Sequence, residues 1–229
     1  MSFCIGGLQK TSFLDYPGKI ACIVFTPMCN FHCGYCHNPE LFVKSEPVLT
    51  LPAFFEFLNS RKGKLDGVVV TGGEPTLQSG LYSFIEEIKN LGFSVKLDTN
   101  GSNPKILDSL LKVGLLDYVA MDIKAPLYKY RQITNSNIDM NSILESISLL
   151  LNSSIDYEFR TTVVKSQLSF EDFDEIAKLI SGAKKYYLQK FIPSKILDNS
   201  LKNEVTYSDE EFYVICSHLK KNIDFVDFR

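Results

Sequence analysis

Six times along this chain a short β-rich run gives way to an amphipathic helical one, and this alternation limits the fold more than any other feature. The strand runs are residues 20–26, 67–71, 93–98, 118–123, 157–164 and 186–191, with a short final run at 223–228. Helical runs follow near 52–60, at 81–91, from the Asn103-Pro104 start to 113, at 141–151, at 170–180 and from Ser208 to about 221. Phe84, Ile85, Ile88 and Leu91 share one helix face. Asn103 followed by proline, Ser169, and Ser208 with Glu211 are helix-start signals. Strand-then-helix units imply parallel strands covered by helices. Right-handed crossovers curl such a sheet into a full or partial barrel, or wind it doubly. Either way, chemistry belongs at the C-terminal ends of the strands.

The polar residues fall where that rule asks. Strand one runs into Cys29-Asn30-Phe31-His32-Cys33-Gly34-Tyr35-Cys36-His37-Asn38, and strand two into Thr71-Gly72-Gly73-Glu74-Pro75. Strand three ends in Asp98-Thr99-Asn100-Gly101 and strand four in Asp122-Ile123-Lys124. Strand five carries Arg160, and strand six Gln189-Lys190. Residues 194–207 are expected to form the mobile loop.

With 229 residues, one sizeable core and a single domain over 1–229 are expected. A net charge of −3 implies no general nucleic-acid field. No stretch approaches a membrane span, and residues 1–10 lack a basic-then-apolar leader pattern. A cytoplasmic location follows as an expectation. In a reducing compartment, clustered cysteines bind metal more often than they pair.

Three of the six cysteines, Cys29, Cys33 and Cys36, have the spacing C-x3-C-x2-C. Three close thiolates suit three corners of an iron–sulfur cube and leave one iron open to a small molecule. A zinc site usually needs a fourth ligand, which His37, Cys4 or Cys22 can supply, so zinc and a redox thiol group stay as alternatives. Cys22, in an apolar strand, and Cys216, beside Phe212, Ile215 and Leu219, read as core residues. The Gly-Gly-Glu-Pro run by itself equally describes a tight turn with Glu74 at a helix start. Likewise, Asp98 could cap a helix, and Asp122 could form a strand-end ion pair with Lys124.

Cys29 to Cys36, with an aromatic residue before the last cysteine, resembles the signature of the radical S-adenosylmethionine (SAM) superfamily. The resemblance implies a partial (β/α)6 TIM-like barrel, a [4Fe-4S] cluster on Cys29, Cys33 and Cys36, and SAM on the open iron. Reductive cleavage of SAM then yields a 5′-deoxyadenosyl radical. It also implies that Gly72, Gly73 and Glu74 approach the methionine ammonium. Tyr35, His37 and Asn38 join the cofactor-binding set, Tyr35 toward adenine and Asn38 toward ribose or carboxylate. Asp98, Asp122 and Lys124 line the pocket. Arg160 is either a carboxylate partner for SAM or a structural ion-pair partner. Gln189 stands where a related activase has histidine.

The Asp15-Tyr16-Pro17-Gly18 run, with the Asp-Thr-Asn-Gly and Asp-Ile-Lys motifs, is similar to the activating enzymes of glycyl-radical enzymes. That narrower resemblance implies a glycyl-radical partner, most of all anaerobic ribonucleotide reductase, and flavodoxin or ferredoxin as electron donor. From pyruvate formate-lyase activase it also implies a monovalent cation at Asp98, Thr99 and Asp122. A small-molecule radical SAM enzyme, such as 7-carboxy-7-deazaguanine synthase, is the rival enzyme reading. A zinc- or cluster-stabilised binding module is the rival without catalysis.

Overall fold

The computed structural model describes residues 3–42 and 46–229. Among the described residues there are eight strands: β1 (Gly7–Ser12), β2 (Ala21–Thr26), β3 (Gly67–Gly72), β4 (Ser94–Thr99), β5 (Tyr118–Asp122), β6 (Asp156–Val163), β7 (Lys185–Lys190) and β8 (Phe225–Phe228). The described residues also form seven α-helices: α1 (Leu51–Ser60), α2 (Leu81–Asn90), α3 (Pro104–Lys112), α4 (Leu127–Thr134), α5 (Met140–Leu151), α6 (Phe170–Leu179) and α7 (Asp209–Leu219). Strand order follows chain order from β1 to β8. A doubly wound sheet reverses its order at a switch point. Here the order never reverses, so the barrel-type winding holds and the doubly wound alternative does not.

Each of the six expected strand-then-helix units forms, within one or two residues of the expected bounds. Two elements escaped the sequence reading. The first is β1, which pairs antiparallel with β2 and has a register shift between Gln9 and Ser12. Its GLQKTS sequence alternates weakly and lacks the apolar run that marks a strand buried on both faces. The second is α4, whose LYKYRQIT sequence is nearly devoid of aliphatic periodicity. It ends at Asn135 in the left-handed conformation, a helix-stop role that asparagine tolerates.

Contacts divide the chain into two compact units. One comprises Met1–Asn30, Glu40–Thr99 and Lys105–Val119, and the other Phe31–Pro39, Asn100–Pro104 and Ala120–Arg229. In the first, β2 pairs parallel with β3 and β3 with β4. Cys22, Val24, Val68, Val70, Val95 and Leu97 are all fully buried, as are Phe54, Leu58, Ile85 and Ile88 from α1 and α2. Phe84 stacks on Phe3 with ring centres 3.8 Å apart. On alternate residues of the strands, Ala21, Ile23, Val69 and Tyr118 make a second cluster with Tyr16. Burial on both faces explains why β2 and β3 read as continuous apolar runs.

In the second unit β6, β7 and β8 pair in parallel. Phe159, Tyr186, Phe173, Ile176, Phe212 and Ile215 fill its core. The expected capping box opens α7: Ser208 N–H donates to Glu211 at 2.8 Å, and Glu211 N–H returns to the Ser208 hydroxyl at 3.3 Å. Cys22 and Cys216 are core thiols, as expected, and burial pushes them up to about 12 and about 11. No helix among the described residues is long and apolar enough to cross a membrane.

Candidate functional site

The first unit carries Cys29 and the Gly-Gly-Glu-Pro turn. Gly73 N–H donates to the Thr26 carbonyl and Glu74 N–H to the Met28 carbonyl, both at 2.8 Å. A Cβ on Gly73 would lie 2.0 Å from the Met28 carbonyl oxygen and 3.1 Å from the Cys29 nitrogen. Gly72 has φ +121°, and its Cβ would sit 2.2 Å from Thr26 N. The two glycines therefore let the turn after β3 lie directly on the backbone that leads into the first cysteine. The sequence left open a tight turn and the approach of a ligand; the contact with the backbone at Met28 and Cys29 was not foreseen.

Glu74 is fully buried. Its Oε1 accepts from Thr76 N–H at 3.1 Å, the Thr76 hydroxyl at 2.6 Å and the Thr99 hydroxyl at 2.8 Å. Glu74 thus caps a short 3-10 turn, Pro75–Leu77, and at the same time ties the end of β3 to the end of β4. A buried carboxylate held this way is oriented before any ligand arrives. Beyond it, β4 holds Lys96, 2% exposed, in a close ion pair with Asp98. The Lys96 ammonium also lies 5.9 Å from the centre of the Tyr118 ring.

The second unit carries the other two cysteines. Cys36 N–H donates to the Cys33 carbonyl at 3.0 Å, closing a tight turn between them. The connection expected to be mobile is tied to this turn. Leu197 N–H donates to the Cys36 carbonyl at 3.1 Å and Asp198 N–H to the Gly34 carbonyl at 2.9 Å, ahead of a 3-10 turn at Asn199–Asn203. A Cβ on Gly34 would come within 3.1 Å of both Asp198 and Leu201. Backbone carbonyls of the turn thus find partners in a segment that sequence composition presents as loop. A cavity of about 600 Å³ opens here, lined among others by His32, Gly34, Asn135 and Asp198.

Around Cys33 the charges are ordered. Asp122 accepts from Arg160 Nε at 2.8 Å and from Lys124 Nζ at 2.9 Å. Burial opposes its charge, but Arg160 and then Lys124 hold its carboxyl well below the usual carboxylate range. Lys124 also loses hydration, yet Asp122 keeps it charged and well above the ordinary amine range. Its ammonium lies 5.9 Å from the Tyr35 ring centre. Tyr35 is 4% exposed, and its hydroxyl has no hydrogen-bond partner among the described residues. Burial, and then the nearby Cys33, raise that phenol well above its usual range. Burial likewise raises the Cys33 thiol, against the opposing pull of Lys124.

His37 is exposed, with its ring 6.4 Å from that of Phe191, and Asn38 is half-buried. Gln189 is half-buried on β7, in register with Thr162 of β6. Arg160 donates to Asp122 at 2.8 Å, which is the ion pair named in one of its two expected roles. Lys96 was missed, although Lys-x-Asp on a strand puts both side chains on one face and so carried the signal.

All six cysteines stand outside disulfides. Among the described residues no three His, Cys, Asp or Glu side chains converge as the ligands of a single ion do. A cube asks for less, because each thiolate meets a different iron. The donor set fits that group: three thiols of one short motif, with Cys33 buried beside a cation that can offset thiolate charge.

Comparison with known proteins adds to this. Residues 23–180 match the family model described as the Radical SAM superfamily. A Methanocaldococcus jannaschii protein, MJ1227, provisionally named a glycyl-radical enzyme activating enzyme, is 32% identical over all of this chain and 97% of its own length. The GTP 3',8-cyclase of Alkaliphilus oremlandii is 33% identical over 55% of this chain and 41% of its own. Among solved structures, Streptococcus suis SuiB bound to S-adenosylmethionine superimposes with a TM-score of 0.68 at 12% identity. That match covers 90% of this chain and 51% of SuiB, and it speaks to the fold alone.

Proposed function

This chain belongs to the radical SAM superfamily, and from that premise we propose that it activates a glycyl-radical enzyme, anaerobic ribonucleoside-triphosphate reductase being the favoured partner. Membership makes it an enzyme of radical chemistry and sets aside the non-catalytic binding module. The family implies a [4Fe-4S] cluster and SAM. The single observation that carries the finer reading is the similarity to the activating-enzyme relative over all of this chain and 97% of that protein's own length.

When bound, the cluster and SAM supply one-electron cleavage of the sulfonium and a carbon radical able to take hydrogen from a glycine α-carbon. Cys29, Cys33 and Cys36 would hold the cluster as thiolates. Glu74, fixed by Thr76 and Thr99, would present its carboxylate toward the methionine ammonium. Gly72 and Gly73 keep the backbone beside Cys29 in place. Asp122 and Lys124 would meet the charged ends of SAM, with Arg160 holding Asp122 in one orientation. Tyr35, fully sequestered, excludes water beside Cys33. His37, Asn38 and Gln189 would complete the contacts to the nucleoside part. Flavodoxin or ferredoxin would deliver the electron.

The similarity to GTP 3',8-cyclase over just over half of the chain favours a second reading, a small-molecule radical SAM enzyme. One experiment separates the two. The reduced protein is incubated anaerobically with SAM and candidate glycyl-radical enzymes. A glycyl-radical signal on the partner, with 5′-deoxyadenosine formed alongside, is the expected result. Deoxyadenosine without any protein radical, across the candidates, moves the assignment to a small molecule.

A further inference from the structure

Similarity to pyruvate formate-lyase activase creates the expectation of a monovalent cation beside Asp98 and Thr99. The side chains around Asp98 speak against it. Lys96 and Asp98 stand two residues apart on one face of β4, and the Lys96 side chain is 2% exposed. Its ammonium bonds Asp98 Oδ1 directly and faces the Tyr118 ring. Burying a lysine is costly unless its charge is paired, so this geometry is specified rather than incidental. A metal ion brought to the same carboxylate would meet an ammonium of like charge in a poorly solvated place. Asp122, in the other unit, is likewise already matched, by Arg160 and Lys124.

We propose that this chain carries its own cation: the Lys96 ammonium compensates Asp98, and the enzyme binds SAM without a monovalent metal ion. Lys96 is a positioning residue here, acting on SAM through Asp98. The inference rests on the SAM-binding role of Asp98 in the proposed function.

The test uses the anaerobically reconstituted holoenzyme at constant ionic strength, with tetramethylammonium as the only added monovalent cation, then with sodium or potassium in its place. The readouts are SAM affinity by equilibrium dialysis and sodium binding by sodium-23 NMR. For the wild type, affinity is expected to change less than about twofold on the exchange, against the roughly tenfold or greater effect of removing a buried charge partner. No sodium site should appear. Lys96→Met should bind SAM roughly tenfold or more weakly in tetramethylammonium and recover with sodium. Lys96→Arg, which keeps the charge, should stay insensitive to the exchange. A wild type that needs sodium or potassium for tight binding overturns the inference and leaves the enzyme assignment standing. So does a folded Lys96→Met protein that ignores sodium. A wild type that binds no SAM in any buffer overturns the SAM reading itself, and this inference with it. Should Lys96→Met fail to fold, the wild-type exchange alone decides.

Discussion

Replacing Gly73 with alanine tests how the glycine pair shapes the cysteine motif. The new methyl would start 2.0 Å from the Met28 carbonyl oxygen and 2.5 Å from its carbon. Both are backbone atoms and cannot swing aside as a flexible side chain would. The two turns must part by about 1 Å before the nearer contact reaches even 3.0 Å. That motion strains the 2.8 Å bonds from Gly73 to Thr26 and from Glu74 to Met28. Overpacking of this kind costs about 2–3 kcal/mol, or roughly 4–12 °C in Tm for a chain of this size. The displaced backbone leads straight into Cys29, so cluster content should suffer as well. The assay is thermal unfolding of the cluster-free protein, followed by iron and acid-labile sulfide per chain after anaerobic reconstitution. Gly63→Ala is the control: φ there is +74° with nothing within 4 Å of the added methyl. It should lose about 1–2 kcal/mol from backbone strain and retain full cluster loading. A Gly73→Ala protein with wild-type stability and wild-type iron content would refute the reasoning.

Three further outcomes are expected. Asp122→Ala leaves Arg160 and Lys124 without their shared carboxylate, so it should cost about 2–4 kcal/mol in stability and weaken SAM binding; unchanged SAM affinity by equilibrium dialysis removes Asp122 from the pocket. Tyr35→Phe deletes a buried hydroxyl without a partner, so the cluster-free protein should hold its stability or gain about 1 kcal/mol; a clear loss in denaturant unfolding contradicts the assignment. Asp172 is fully buried, accepting from Lys129 at 2.6 Å and from Ser169 N–H at 2.7 Å, with a close contact to the Tyr128 hydroxyl. Burial would raise its carboxyl, but these donors lower it on balance. A depressed folded-state pKa contributes stability above the unfolded value and loses it as the pH falls through the folded one. The denaturation midpoint gap between wild type and Asp172→Asn should therefore be largest at neutral pH and shrink toward about pH 3; an equal gap at both ends contradicts the ion pair.

The sequence was most legible where one physical requirement dominated. Continuous apolar runs marked β2 and β3, because strands covered on both faces need them. The Ser208–Glu211 pair marked the start of α7, because two backbone donors there need partners. β1 was harder to see: an antiparallel strand of mixed residues is fixed by its neighbour β2, which no local pattern announces. The segment from Leu197 to Leu201 read as a free loop because it is polar, and what orders it is the carbonyls of Gly34 and Cys36, distant in sequence. The candidate site shows the same division. The cysteine spacing and the Asp-x-Lys pair at Asp122 and Lys124 were readable, since both are local motifs at or just after the end of a strand. Lys96 and Asp98, two residues apart on one strand, share a face, yet a lysine inside an apolar strand looks like a surface residue until its burial is seen. The reason for Gly73 was not readable at all, because it lies in the approach of two turns that are 45 residues apart.

The central claim is that Cys29, Cys33 and Cys36 hold a cluster with one iron open to SAM. Electron paramagnetic resonance of the reduced, anaerobically prepared protein, recorded before and after SAM is added, tests it most directly. The account requires a [4Fe-4S] signal that changes shape on SAM addition and is absent from Cys33→Ala. A signal indifferent to SAM, or a wild-type protein that takes up no iron and sulfide, contradicts it.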